Sequence, residues 1–259
     1  MGLALCFACN AISFGAVLIS LATMRAADLY PARRVERKRR QVRQGLRYVR
    51  SAPELFIPLL MITVVGTLSW EFQVTLPLMA TKVFHGDSDA YGTMASVMGV
   101  GAVIGGLISA ARPRPRSRAL CLAAIGWGIA ILADAVAPDL PLELAAMIFV
   151  GYGSITFNSL AKTTLQLAAK PTMRGRVMAL WALAWLGSTP IGGPIVGWVA
   201  QETGARWSLV VGGAAALLSG ALALPAMLRM ESRRAASPAA EPLAAEPEPA
   251  TATATANLP

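Results

Sequence analysis

Seven stretches of the chain are almost free of charge and apolar on every face of a helix: 3–24, 55–81, 90–111, 119–137, 142–169, 177–200 and 208–228. A helix needs about 20 residues to cross the hydrocarbon core of a bilayer, and each stretch is close to that length or longer. The surface helix of a soluble domain would carry a polar stripe instead. Because helices satisfy their own backbone hydrogen bonds in lipid, the pattern predicts an all-α membrane protein with seven transmembrane helices.

One segment of the sixth stretch, 187–198 (GSTPIGGPIVGW), has the composition of a loop but lies between apolar residues and holds no charge. Membrane helices tolerate glycine and proline better than soluble helices do. We therefore predict a helix in which Pro190 and Pro194 produce a bend. The small residues that would admit a neighbouring helix are Gly192, Gly193 and Gly197 here, and Gly101 and Gly105 in the third stretch.

Charge placement distinguishes a membrane protein from a nucleic-acid-binding one. The chain is 55% hydrophobic and 14% charged, with a mean hydropathy of +0.55 and a net charge of +9. Of its 23 Lys and Arg residues, 20 lie in the segments 25–53, 112–118, 170–176 and 229–234. Every second connection is therefore basic, which is the positive-inside pattern. It predicts a multi-pass protein of the bilayer with an external N-terminus, a cytoplasmic tail and no nucleic-acid partner.

The two segments outside the membrane differ in pattern. Residues 35–50 alternate apolar and basic positions at helical spacing, which predicts an amphipathic helix at the cytoplasmic membrane surface within a long loop, 25–53. A solvated charged linker is the alternative. The segment 231–259 is rich in Ala, Pro, Glu and Thr, which predicts a disordered tail.

Charged and amide side chains at membrane depth are candidates for a substrate or proton pathway, because they are costly there. The candidates are Glu71, Gln73, Asn158, Lys162 and Gln166. Glu71 is the best candidate for proton uptake and release, although it would serve equally as a structural carboxylate. Lys162 shares a face with Asn158 and Gln166 and either lines a cavity or extends to the interface. Its expected depth differs from that of Glu71 by about 12 Å, which disfavours an ion pair. Asp134 is expected at the outer interface.

No pattern in the chain supports catalysis. Cys6 and Cys9 have C-x-x-C spacing but no second pair, and the single histidine, His85, falls in a connection. No phosphate-binding loop is present in the sequence. We expect no catalytic residues, no metal and no cofactor, and hence no enzyme.

Several motifs resemble the major facilitator superfamily, in particular its bacterial branch of enterobactin-exporter-like and macrolide-efflux-like permeases. They are NAISFGAVLISLATMR (10–25), GLRYVRSAPEL (45–55), EFQVTLPLMATKVFHGDSDAYGTMASVMGVGAVIGG (71–106) and TTLQLAAKPTMRGRVMALWALAWLGSTPIGGPIVGWVAQETGARW (163–207). The resemblance implies that 1–24 is the last helix of an N-terminal half and that 54–230 is the six-helix C-terminal half. The first five helices would then come from the rest of a longer parent chain or from a partner chain.

The resemblance also implies a function: export of small amphipathic molecules, such as drugs or siderophores, across the bacterial inner membrane by an antiporter driven by an ion gradient. Protons are favoured as the coupling ion, with sodium as the alternative. It implies a cytoplasmic gate role for Arg174 and Arg176, with simple membrane anchoring as the alternative. Residues 193–197 are similar to the Gly-Pro-x-x-Gly motif of antiporters, which would act as a hinge or only as a packing kink. The segment 112–118 lacks the aspartate of the superfamily's usual loop motif. A membrane scaffold, or a half-transporter subunit that needs a partner, is the alternative function.

Overall fold

The computed structural model describes residues 3–24, 41–111 and 117–236. The helices are Leu3–Thr23 (α1), Gln41–Ser51 (α2), Pro53–Leu68 (α3), Phe72–Leu78 (α4), Ser88–Ala111 (α5), Ser117–Ala135 (α6), Leu140–Ala168 (α7), Arg174–Leu186 (α8), Thr189–Thr203 (α9) and Ala205–Ala236 (α10). A π-helical turn, Met79–Val83, continues α4. The chain divides into two units, of which the first ends at Arg39 and contains α1.

Six helical segments of the second unit are long and apolar enough to cross a membrane: Pro53–Val83, Ser88–Ala111, Arg118–Ala135, Leu140–Ala168, Arg174–Thr203 and Ala205–Ser232. Phe7–Thr23, within α1, is a shorter apolar helix. The predicted all-α membrane architecture is confirmed. Within the six-span bundle, the connections at one end are basic in sequence, and this end is called the basic end below. The connections at the other end form the opposite end.

The bundle is held together by close helix pairs. Helix α5 packs along α7, and α6 packs against both α7 and α10. A Cβ added at Gly101 would overlap the backbone carbonyl of Ile148, and one added at Gly105 would lie 2.6 Å from the carbonyl oxygen of Tyr152. The glycines of α5 therefore let two helix backbones touch, and dispersion contacts between them replace the hydrophobic driving force that lipid does not supply.

This contact gives a matched pair of substitutions on α5. Gly101→Ala is expected to destabilise the folded protein by about 1–3 kcal/mol, because the methyl group has to displace the α7 backbone. Gly92 lies on the same helix with nothing within 4 Å of its added Cβ. Gly92→Ala should be neutral or slightly stabilising, since alanine has the higher helix propensity. Thermal unfolding of both purified variants in detergent measures the difference, and equal unfolding midpoints would contradict this packing.

Two of the six spans are interrupted, and this differs from the prediction of continuous helices over 55–81 and 177–200. The first span breaks at residues 69–71, between α3 and α4, and the fifth breaks at Gly187 and Ser188, between α8 and α9. Pro190 lies in the first turn of α9, where its missing N–H costs nothing. The proline thus begins a new helix instead of bending an existing one, whereas Pro194 lies inside α9.

The segments outside the membrane depart from the prediction at their limits. Helix α2 covers the C-terminal part of the predicted amphipathic helix, and 25–40 lies outside the described residues. Val49 of α2 is buried and Arg43, Arg47 and Arg50 are exposed, so the helix is amphipathic as its pattern indicates. Helix α10 extends to Ala236, which corrects the predicted start of the disordered tail at 231. The remainder of the predicted tail, 237–259, lies outside the described residues.

Candidate functional site

Glu71 lies in the break between α3 and α4 and is buried, with 5% of its surface exposed. Its side chain does not cap α4; it accepts a hydrogen bond from the hydroxyl group of Thr189, at the first residue of α9. Its other carboxyl oxygen, Oε1, is buried and has no hydrogen-bond partner among the described residues. The carboxyl group therefore connects the two interrupted spans and retains one free acceptor.

Glycine allows this contact between the two breaks. A Cβ added at Gly192 would overlap the carbonyl group of Thr67 and lie 2.9 Å from Oε1 of Glu71. A Cβ added at Gly193 would lie 3.7 Å from Oε2 of Glu71. The first turn of α9 can thus approach both the end of α3 and the carboxylate. The partial positive charge at the N-terminus of a helix of this length favours a carboxylate at that place.

Buried hydroxyl groups in the two breaks donate hydrogen bonds to backbone carbonyls. The Ser69 hydroxyl donates to the carbonyl of Gly212 in α10 at 2.7 Å. The Ser188 hydroxyl donates to the Trp185 carbonyl at 3.0 Å, within the second break. Interrupted helices persist at membrane depth only where the backbone is buried in protein or lines a cavity. The breaks are therefore built into the protein interior.

An aromatic cluster lies beside Glu71. The rings of Trp70 and Trp185 are 4.5 Å apart at their centroids, and those of Trp70 and Trp127 are 6.1 Å apart in an edge-to-face arrangement. Trp127 also stacks on Phe157 at 5.8 Å. Each break contributes to this cluster, since Trp70 comes from the first and Trp185 directly precedes the second. Because Trp70 precedes Glu71 in the chain, the cluster adjoins the first break.

A cavity of about 270 Å³ opens next to the first break. Its walls come from α4, α5 and α7 and are mostly apolar, with Trp70, Phe72, Tyr91 and Met98 among the lining residues. Gln73, predicted from the sequence as a pathway residue, lines this cavity and places an amide group in it. A concave apolar surface with a few polar groups is the usual form of a small-molecule site.

The three polar residues predicted together on α7 have separate surroundings. Lys162 is exposed, and its ammonium group lies 5.3 Å from the ring centroid of Trp181, a cation–π arrangement. The Asn158 side-chain oxygen is buried and has no hydrogen-bond partner among the described residues. The backbone carbonyl of Gln166 accepts a hydrogen bond from the Arg174 side chain. The structure thus gives Lys162 and Glu71 different partners.

The predicted gate residues lie at the basic end of the bundle. The Arg174 Nε donates to the Gln166 carbonyl at 3.1 Å and so connects the start of α8 to the end of α7. Arg176 is half-buried against α2, and a Cβ added at Gly45 would lie 3.4 Å from its Cβ. The Tyr48 hydroxyl accepts the backbone N–H of Lys170 at 3.2 Å. Helix α2 is therefore docked on the turn that precedes α8.

The sequence reasoning missed a second acidic group at the opposite end. Asp134, predicted at the interface, is fully buried, and so is Glu143, which the prediction did not name. Their side chains contact each other, and Arg206 interacts with Glu143. The signal was available: one carboxylate ends α6, another begins α7, and the short turn between them contains a proline. A helical hairpin brings two such positions together.

Comparison with known proteins assigns the chain to a family. No curated protein and no solved structure matches it. A family model described as transmembrane secretion effector matches residues 1–256. The match covers nearly the whole chain and agrees with the resemblance in the sequence and with the helical membrane architecture. The chain is a multi-pass membrane protein and belongs to the transmembrane secretion effector family of the major facilitator superfamily.

Proposed function

We propose that the chain serves as a secondary active exporter of small amphipathic molecules, driven by the proton gradient, with Glu71 as the coupling carboxyl group. The observation that carries the proposal is the position of Glu71: buried, in contact with both interrupted spans, and beside an apolar cavity. Discontinuous helices at the midplane form the substrate and ion sites of many transporters. The family description, a secretion effector, is consistent with outward transport.

Glu71 has a suitable environment in both of its protonation states. The ionised form accepts the Thr189 hydroxyl and lies at the N-terminus of α9, which favours negative charge. The protonated form suits the buried position of the side chain, which is 5% exposed. A change in charge alters the attraction between Glu71 and α9, and thereby the contact between the two spans. In this proposal, proton binding loosens α9 from the first break, and proton release restores the contact.

The cavity determines the kind of cargo. Its aromatic and aliphatic walls suit the apolar part of a drug or siderophore, and Gln73 supplies a hydrogen-bonding group for the polar part. Asn158, with its free buried oxygen, is a second group for a pathway. We place the basic end in the cytoplasm of a bacterial cell, with the N-terminus outside, by the positive-inside rule. There the Arg174 bond and docked α2 would hold the inward gate closed. A first half, from the parent chain or a partner, remains a prediction.

Inside-out vesicles test the proposal. The chain is expressed together with any upstream helices that its gene encodes, and uptake of ethidium, a macrolide and a catecholate siderophore is measured with an imposed proton gradient. We expect accumulation of at least one of these compounds, and its collapse when a protonophore is added. Accumulation that requires sodium and survives the protonophore would reject proton coupling. Absence of gradient-driven uptake of any of the three would favour the scaffold or half-transporter role.

A further inference from the structure

The acidic pair at the opposite end of the bundle has a geometry that a purely structural role does not require. Asp134 lies in the last turn of α6 and Glu143 in the first turn of α7, and each has 0% of its surface exposed. The two side chains contact each other. None of their four carboxyl oxygens receives a hydrogen bond from a donor in the described part of the chain. Their contact is a hydrogen bond only when one of the two carries a proton.

Two buried carboxylates side by side are energetically unfavourable. Two like charges in contact oppose the ionisation of both carboxyl groups, and burial removes the water that would screen the charges. A buried ion is tolerated when it is paired and hydrogen-bonded. One shared proton supplies the hydrogen bond here, since the protonated carboxyl donates to the ionised one.

Arg206 completes the charge balance of this pair. It lies in the first turn of α10, interacts electrostatically with Glu143, and donates from Nη2 to the Ala137 carbonyl at 2.6 Å. With one proton on the pair, the cluster contains one carboxylate, one carboxylic acid and one guanidinium group, and its net charge is zero. Loss of that proton leaves one uncompensated negative charge, and a second proton leaves one uncompensated positive charge. The singly protonated cluster is the only neutral state.

Among the residues that the structure describes, no other charged group compensates the pair. Of the charged residues that the structure describes, Arg206 is the one that interacts with it from a neighbouring helix. The charged residues in the connections at this end are all exposed: Lys82, Asp87, Asp89, Asp139 and Glu202. Asp139 caps α7 by accepting the Leu142 N–H at 3.0 Å.

We propose that Asp134 and Glu143 form a proton-binding site that holds one proton between the two carboxyl groups and, with Arg206, fastens the α6–α7 turn to α10. The proton comes from water and returns to water, and no other bond changes. The site is built from α6, α7 and α10, whereas Glu71 lies between α3 and α9, so the inference is independent of export and of its coupling ion. The pair therefore gives this end of the bundle a proton-dependent latch.

Infrared spectroscopy of the purified chain in lipid tests the shared proton directly. The Glu71→Gln background removes the third acidic residue that is buried in the described part of the chain. In that background we expect a protonated-carboxyl C=O band at neutral pH that disappears at alkaline pH. Asp134→Asn should abolish the band, because the remaining Glu143 carboxylate then pairs with Arg206 and carries no proton. Glu143→Gln should abolish the band or change its frequency, because the carboxylate that accepts the shared proton is gone. Glu202→Gln, at an exposed position, is the control that should keep it. A band that survives in both variants overturns the proposal.

The pH dependence of thermal unfolding provides a second readout. The unfolding midpoint of the unmodified chain should fall as pH rises, since removal of the shared proton leaves an uncompensated buried anion. Asp134→Asn and Glu143→Gln each keep one carboxylate and one guanidinium group, so once that carboxylate is ionised a further rise in pH adds no net charge to the cluster. Both variants should therefore lack this alkaline fall, whatever their absolute stability. The same fall in all three proteins would contradict the shared proton.

Discussion

Glu71→Gln is expected to reduce proton-driven export to the level of vesicles without the protein, while the folded chain persists. Glutamine keeps the shape of the side chain and can still accept the Thr189 hydroxyl, but it cannot release a proton. The contact with α9 then no longer depends on pH. The measurement is uptake of the transported compound by inside-out vesicles under an imposed proton gradient.

Two controls separate loss of coupling from loss of folding. Glu202→Gln removes a carboxylate from the exposed end of α9 and should leave uptake unchanged. Substrate binding to the detergent-solubilised Glu71→Gln protein should survive, because Gln73 and the aromatic walls of the cavity are intact. Gradient-driven uptake by Glu71→Gln at the unmodified rate would show that another group couples transport to protons.

The sequence predicted the membrane architecture well, for a physical reason. A helix that crosses a bilayer must be long enough, apolar, and able to satisfy its own backbone hydrogen bonds. These requirements apply to each segment separately, so the local composition is enough to predict them. The run 90–111 corresponds to the observed helix Ser88–Ala111 in this way. Glu71 was equally visible as a candidate, because an isolated acidic residue in an apolar segment is rare and costly.

The helix breaks could not be predicted from local composition. Ser69 and Trp70 carry no strong breaking signal, and their interruption depends on partners distant in sequence, such as the Gly212 carbonyl that receives the Ser69 hydroxyl. The depth estimate for Glu71 assumed an unbroken helix and so could not place it against Thr189. The burial of Asp134 was not predicted for a related reason: distance from a helix end does not reveal whether that end is covered by another helix, here α10.

Gly192→Ala is the second substitution with a large expected effect. The added methyl group would overlap the Thr67 carbonyl and crowd Oε1 of Glu71. The Thr67 carbonyl belongs to the backbone of α3, and the Glu71 side chain is buried. Overpacking of this kind costs about 1–3 kcal/mol in a close-packed interior. Because relief requires α9 to move away from the first break, the contact between Glu71 and Thr189 should be lost with it. We expect export to be lost together with part of the thermal stability.

The same helix supplies the matched control. A Cβ added at Gly197 meets only Cγ1 of Val74, at 3.7 Å, which is ordinary van der Waals contact. Gly197→Ala should therefore retain both stability and export, although the sequence predicted the same packing role for both glycines. Transport and thermal unfolding of the two variants, measured side by side, distinguish a glycine that admits a functional contact from one that lies in open packing. Equal loss in both would indicate that α9 as a whole needs flexibility, and that close approach at Gly192 is not the cause.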